Sequence, residues 1–156
     1  MRIVAIGGGP AGLYFSILMK KAFPEVEIEI LERNRPDDTF GFGVVFSDET
    51  LSFFDDADPV SAARIRHRFR TWTEIETRFR GERVFSTGHG FAAIARTELL
   101  AILRQRAQTL GCTIRFEREL AAGAELPAAD LVIGCDGVNS AVRERYAGDF
   151  EVSIDL

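Results

Sequence analysis

The chain has 156 residues, of which 46% are hydrophobic and 28% charged, a balance that supplies one domain with a real core and excludes disorder, collagen-like repeats and coiled coil. Nineteen Lys and Arg against 24 Asp and Glu leave a net charge of -5, so phosphate repulsion is not offset across the molecule and general nucleic-acid binding is disfavoured. The two cysteines, Cys112 and Cys135, lie in apolar stretches with no second cysteine or histidine at ligand spacing, which argues against a disulfide framework and a metal site.

Arg2 to Ile6 is a short apolar run that stops at Gly7 and predicts a strand. The glycines that follow interrupt any signal-peptide apolar region, and no apolar run is long enough to cross a membrane, so the expectation is a cytoplasmic protein. Ala11 to Ala22 carries Leu13, Ile17 and Leu18 at helical spacing and closes with Lys20 and Lys21, where cations favour the helix dipole. Val26 to Leu31 alternates apolar and acidic residues as a second strand, completing a β-α-β unit.

Gly7, Gly9 and Gly12 form G-x-G-x-x-G after the strand and at the helix opening. Gly7 permits the tight turn, Gly9 lets backbone approach a pyrophosphate, and Gly12 lets the helix pack close to the sheet. Glu32 lies twenty residues beyond Gly12, at the strand end where a carboxylate accepts hydrogen bonds from both ribose hydroxyls of an adenosine and disfavours a 2′-phosphate. A plain glycine turn and a solvated strand-end glutamate are the competing accounts.

Residues 33–47 are rich in Gly, Pro, Asp and Asn and predict an extended loop, with a short helix over Asp48 to Asp56 ending before Pro59. Phe69 to Glu76 and Thr77 to Phe85 alternate β-branched or aromatic residues with charges and predict antiparallel strands. Arg96 to Leu110 places Leu99, Leu100, Leu103, Ala107 and Leu110 on one helical stripe, and Gly111 stands at the C-terminal cap position. Thr113 to Phe116 and Leu131 to Cys135 predict strands, and Ser140 to Tyr146 a helix with Ser140 as its N-cap.

The stretch Asp130-Leu131-Val132-Ile133-Gly134-Cys135-Asp136-Gly137-Val138-Asn139-Ser140, taken with Gly7-Gly8-Gly9-Pro10-Ala11-Gly12 and Glu32-Arg33, resembles the FAD-dependent aromatic hydroxylases, the single-component flavoprotein monooxygenases. The resemblance covers essentially the whole chain. It implies that Gly7, Gly9, Pro10, Ala11 and Gly12, with Glu32 and Arg33, hold the FAD adenosine diphosphate, and that Asp136 and Gly137 take the places beside the ribityl chain. Arg96, at the start of the long helix, looks like the family arginine near the flavin phosphates and ribityl chain, and a guanidinium supplies rigid donors to phosphate oxygens. An Asp-Gly turn and a solvated arginine are the competing accounts.

Gly41-Phe42-Gly43-Val44-Val45-Phe46-Ser47-Asp48 is most similar to the hydroxylases of aromatic acyl-CoA thioesters, such as salicylyl-CoA or 2-aminobenzoyl-CoA, and to indole-modifying relatives. In relatives this stretch passes beside the flavin ring; a plain flexible loop competes. The basic stretch Arg64, Arg66, His67, Arg68, Arg70, Arg78, Arg80 and Arg83 is either a solvated face or a contact for CoA or nicotinamide phosphates. His67 and His89 have no partner at catalytic spacing, and no catalytic acid, base or metal ligand is assigned.

The expected fold is α/β: a Rossmann-like FAD-binding domain with a parallel sheet from strands near 2–6, 26–31, 113–117 and 131–135, plus antiparallel strands of an incomplete substrate domain. Residues 2–68 and 96–150 make up the dinucleotide-binding part, and 69–90 the antiparallel strands. Complete family members are much longer and carry a later Gly-Asp motif, so the chain is expected to be an N-terminal fragment. The resemblance implies NAD(P)H and O2-dependent hydroxylation of a small aromatic substrate, one form of which is a CoA thioester, with no nucleic acid or membrane as partner. An FAD-dependent dehydrogenase or reductase and a non-catalytic dinucleotide-binding module are the rival readings.

Overall fold

The computed structural model describes residues 1–38 and 41–149. Thr39 and Phe40 of the expected loop, and residues 150–156 at the end of the chain, lie outside the described residues. In chain order the elements open with β1 (Arg2–Ile6), α1 (Pro10–Ala22), β2 (Glu27–Leu31), β3 (Gly43–Ser47), α2 (Asp48–Ala57) and α3 (Pro59–His67). They continue with β4 (Arg70–Trp72), β5 (Ile75–Phe79), β6 (Glu82–Ser86), β7 (Phe91–Ala95), α4 (Arg96–Thr109), β8 (Thr113–Arg115), β9 (Leu131–Gly134) and α5 (Ala141–Arg145).

The chain divides into two compact units, Met1–Asp38 with Leu103–Leu156, and Thr39–Ile102. The second unit is wider than the 69–90 segment marked out by the sequence, because β3 and the α2–α3 pair gather with the antiparallel strands.

In the first unit β1 is the hub of a parallel sheet ordered β8-β2-β1-β9. Ile3 lies opposite Ile28 of β2 and Leu131 of β9, and β8 extends the sheet from the far side of β2. β1 is paired along both edges and buried on both faces: Ile3, Val4 and Ala5 are fully buried, as are Leu13 and Ile17 of α1. Gly111, at φ +90, closes α4 as the spacing predicts.

In the second unit β7 pairs antiparallel with β3 on one side and β4 on the other, and β5 and β6 form a separate hairpin. The hairpin turn at Arg80 and Gly81 has positive φ at both residues, 50 and 86°, which matches the twist of the flanking strands. The expected strands 69–76 and 77–85 divide instead into β4, β5 and β6, and three further elements depart from the sequence reading. Gly43–Ser47 is a strand inside the expected loop, Phe91–Ala95 is a strand where none was assigned, and Pro59–His67 is a helix. Pro59, read as a stop for α2, is the first residue of α3, where a missing N–H costs nothing.

Candidate functional site

The glycine turn, the β2 end and the Asp-Gly segment meet at the carboxyl ends of three adjacent strands. Gly7 donates to the carbonyl of Leu31 at 2.8 Å, and Cys135 donates to the carbonyl of Ile6 at 2.7 Å. Neither Gly7 nor Gly12 tolerates a side chain. Gly7 has φ +109, and a Cβ there would stand 2.3 Å from the Cys135 carbonyl oxygen; at Gly12 it would stand 2.1 Å from the Gly7 oxygen. Gly9 is different: a Cβ would meet nothing within 4 Å, so open space lies over the backbone at the position assigned to a pyrophosphate. α1 then begins with Gly9 as N-cap and Pro10 and Ala11 in its first turn, and no side chain caps its amides. First-turn N–H groups without a cap are a ready anion site.

Glu32 is 7% exposed, and its carboxylate is largely occupied by the chain itself. Oε2 accepts from the Gly8 amide at 2.7 Å, and Oε1 accepts from the amide and the Nδ2 of Asn34 at 2.8 and 2.7 Å. Of about four lone-pair sites on a carboxylate, these bonds take three and leave one on Oε2. Glu32 also ties the glycine turn to β2. Asn34 is a residue of this site that the sequence reading missed; its position two residues after Glu32 is the available signal. Arg104 is another: burial draws its pKa down, against the opposing pull of the Glu32 and Asp37 carboxylates, and its guanidinium lies 5.3 Å over the Phe116 ring. Arg33 is exposed and reaches Glu119 at 4.0 Å.

Asp136 is likewise engaged. Its Oδ1 accepts from the Ser140 hydroxyl at 2.6 Å, and its Oδ2 from the amides of Ala141 and Val142 at 2.7 and 3.3 Å. Ser140 caps α5 through the Arg143 amide at 2.9 Å, as predicted. Gly137 follows with φ +86 and open space around its Cα. The Asp-Gly segment is thus held rigidly by its own helix, while Oδ1 keeps acceptor capacity on one side. Both thiols are free; burial pushes Cys112 up to about 11, and burial with the neighbouring Asp136 raises Cys135, so neither is a ready nucleophile.

In the second unit Arg96 opens α4, its amide donating to the Phe42 carbonyl at 3.2 Å. Its Nε is buried with no hydrogen-bond partner among the described residues, the condition of a donor that awaits an acceptor. Gly41 takes φ +86 beside it, and a Cβ on Gly43 would stand 2.9 Å from the Ile94 carbonyl oxygen. Close β3–β7 pairing therefore already requires Gly43. His89 accepts or donates at 2.6 Å to the Ser86 hydroxyl, and the residues around it supply no carboxylate partner among the hydrogen bonds of the described residues.

Within the first unit, an uncapped helix start behind an open glycine turn and a buried strand-end carboxylate with one lone pair to spare form a donor and acceptor set suited to a dinucleotide. The family described as FAD binding domain matches residues 1–128. The chain belongs to that family. This FAD-binding domain is 49% identical over 150 residues to the salicyloyl-CoA 5-hydroxylase of Streptomyces sp, covering 96% of the chain and 29% of that protein. It is 33% identical over 153 residues to the 3-hydroxy-4-methyl-anthranilyl-[aryl-carrier protein] 5-monooxygenase of Streptosporangium sibiricum, covering 96% of the chain and 42% of that protein. Among solved structures, 2-methyl-3-hydroxypyridine-5-carboxylic acid oxygenase in its tetrameric form superposes with a TM-score of 0.78 at 26% identity, over 92% of this chain and 41% of that one. The chain therefore spans less than half the length of these relatives. No helix among the described residues is long and apolar enough to cross a membrane.

Proposed function

We propose that this FAD-binding domain serves an NAD(P)H-dependent monooxygenase that hydroxylates an aromatic ring presented as an acyl thioester. The observation that carries the reading is the convergence of the Gly7–Gly12 turn, Glu32 and Asp136 at one end of the parallel sheet, in a chain 49% identical to a salicyloyl-CoA 5-hydroxylase. FAD, when bound, supplies the hydride-accepting and oxygen-activating centre. The first-turn amides of α1, with Pro10 setting the helix and Ala11 and Gly12 offering N–H groups, bind the diphosphate. Glu32 orients the adenosine through its remaining Oε2 lone pair, and Arg33 borders it. Asp136 and Gly137 hold the ribityl region, and for Arg96 the family resemblance and its unpartnered Nε support a role toward phosphate.

In the net reaction one atom of O2 enters the aromatic C–H bond as hydroxyl and the other leaves as water, while NAD(P)H loses a hydride and a proton is taken up. The test is incubation of the protein at its natural length with FAD, NAD(P)H, 18O2 and an aromatic acyl-CoA. One labelled hydroxyl per product is expected. Oxygen-independent turnover of the substrate would favour a dehydrogenase, and the absence of any reaction with a nicotinamide cofactor a binding module.

A further inference from the structure

One cavity in the second unit is unused by the flavin assignment. It has a volume of about 370 Å³ and lies where the end of α3 passes into β4, against β7 and the first turn of α4. Ala93 and Ala95, two residues apart on one face of β7, line it together with Phe69. The alanines are too small to fill the space, and the cavity reaches the size of a small-molecule site. Its walls carry His67, Arg68 and Arg70, with Glu98 opposite. Arg70 lies directly across the β4–β7 ladder from Ala93, which puts its side chain on the cavity face.

Resting on the monooxygenase reading, we propose that this cavity binds the phosphate groups of a nucleotide coenzyme through Arg68 and Arg70. Glu98 engages Arg68 by a single contact, Nη1 to Oε1 at 3.3 Å, which leaves the rest of that guanidinium fork free. Arg70 has no ion-pair partner among the described residues. Two guanidiniums against one carboxylate leave the cavity cationic in a chain whose net charge is -5. The C-terminal carbonyls of α3 oppose an anion, and a place in the exposed last turn of that helix accounts for His67. It does not account for Arg70, which belongs to a strand and lines the cavity beside Ala93. Arginine forks match phosphate oxygens in pairs, and the Phe69, Ala93 and Ala95 side chains offer apolar contact to the ribose or adenine that accompanies them.

Two nucleotide coenzymes meet that chemistry, the CoA handle of an acyl thioester and a reduced nicotinamide dinucleotide. Calorimetric titration of the FAD-loaded protein at its natural length with coenzyme A and, separately, with NADPH distinguishes them. Arg70→Ala is expected to weaken one of the two roughly tenfold, the effect of one lost charged hydrogen bond, with FAD affinity unchanged. Arg70→Lys restores part of the loss, because charge returns without the fork, and Glu98→Gln tightens the same ligand. Loss confined to coenzyme A assigns the substrate handle, and loss confined to NADPH the reductant. Unchanged affinity for both in Arg70→Ala overturns the proposal. If that variant also hydroxylates as the parent does, the monooxygenase reading survives without it; if the parent never oxidises NAD(P)H, that reading fails first.

Discussion

At Glu29 one carboxylate holds guanidiniums from the strands on either side. Arg2 of β1 approaches Oε2 at 2.8 Å, and Arg115 of β8 bonds Oε1. The Arg2 hydrogen bond, then that of Arg115, holds the Glu29 carboxyl below its ordinary 4.5, against the opposing cost of burial. A depressed folded-state pKa stabilises fully above the unfolded value, and the contribution is lost as pH falls through the folded one. Glu29→Gln is therefore expected to cost about 1 kcal/mol at neutral pH and progressively less below pH 4.5. Urea denaturation of both proteins at neutral and acid pH checks this; a difference independent of pH would contradict it. The same economy governs Glu32 and Asp136. Each spends most of its acceptor capacity on the chain, fixing a turn and a helix start, and keeps a remainder for a ligand.

Among the elements, α3 depends on its cap. Asp58 is fully buried, accepts from the Ser61 amide at 3.3 Å and from its hydroxyl at 2.6 Å, and stands between α2 and α3. Asp58→Ala is expected to destabilise by about 1 to 2 kcal/mol, read as a lower denaturation midpoint; an unchanged midpoint would remove the cap from the account. The elements that the sequence made readable are those whose pattern is local. β1 and β9 are apolar runs ended by glycine, β2 alternates apolar and acidic residues, and α1 and α4 have helical stripes with end signals. β3 and β7 were not readable for the opposite reason. Gly43–Ser47 emerges from a Gly- and Pro-rich loop, and Phe91–Ala95 is largely alanine, so each is a strand chiefly because the other pairs with it. α3 carries charge through its last turn and begins at a proline that also reads as a stop.

On the scale of the whole molecule, the three motifs lie far apart in sequence and are joined by strand order. Placing β9 beside β1, across from β2, brings the three motifs to the carboxyl ends of adjacent strands where the strand order switches, the position at which open α/β sheets receive ligands. The glycine motif, Glu32 and the Asp-Gly segment were readable as a set because each is a short pattern tied to a strand end. Asn34 was not, since its importance comes only from the two hydrogen bonds it donates to Glu32. The most direct test of the account is a titration of the purified protein with FAD, followed by flavin fluorescence, beside Glu32→Ala with its fold checked by circular dichroism. Loss of a charged hydrogen bond and of the anchor on the Gly8 amide is expected to weaken FAD roughly ten- to a hundredfold. A folded Glu32→Ala protein that binds FAD as tightly as the parent would contradict the assignment of this sheet end as the flavin site.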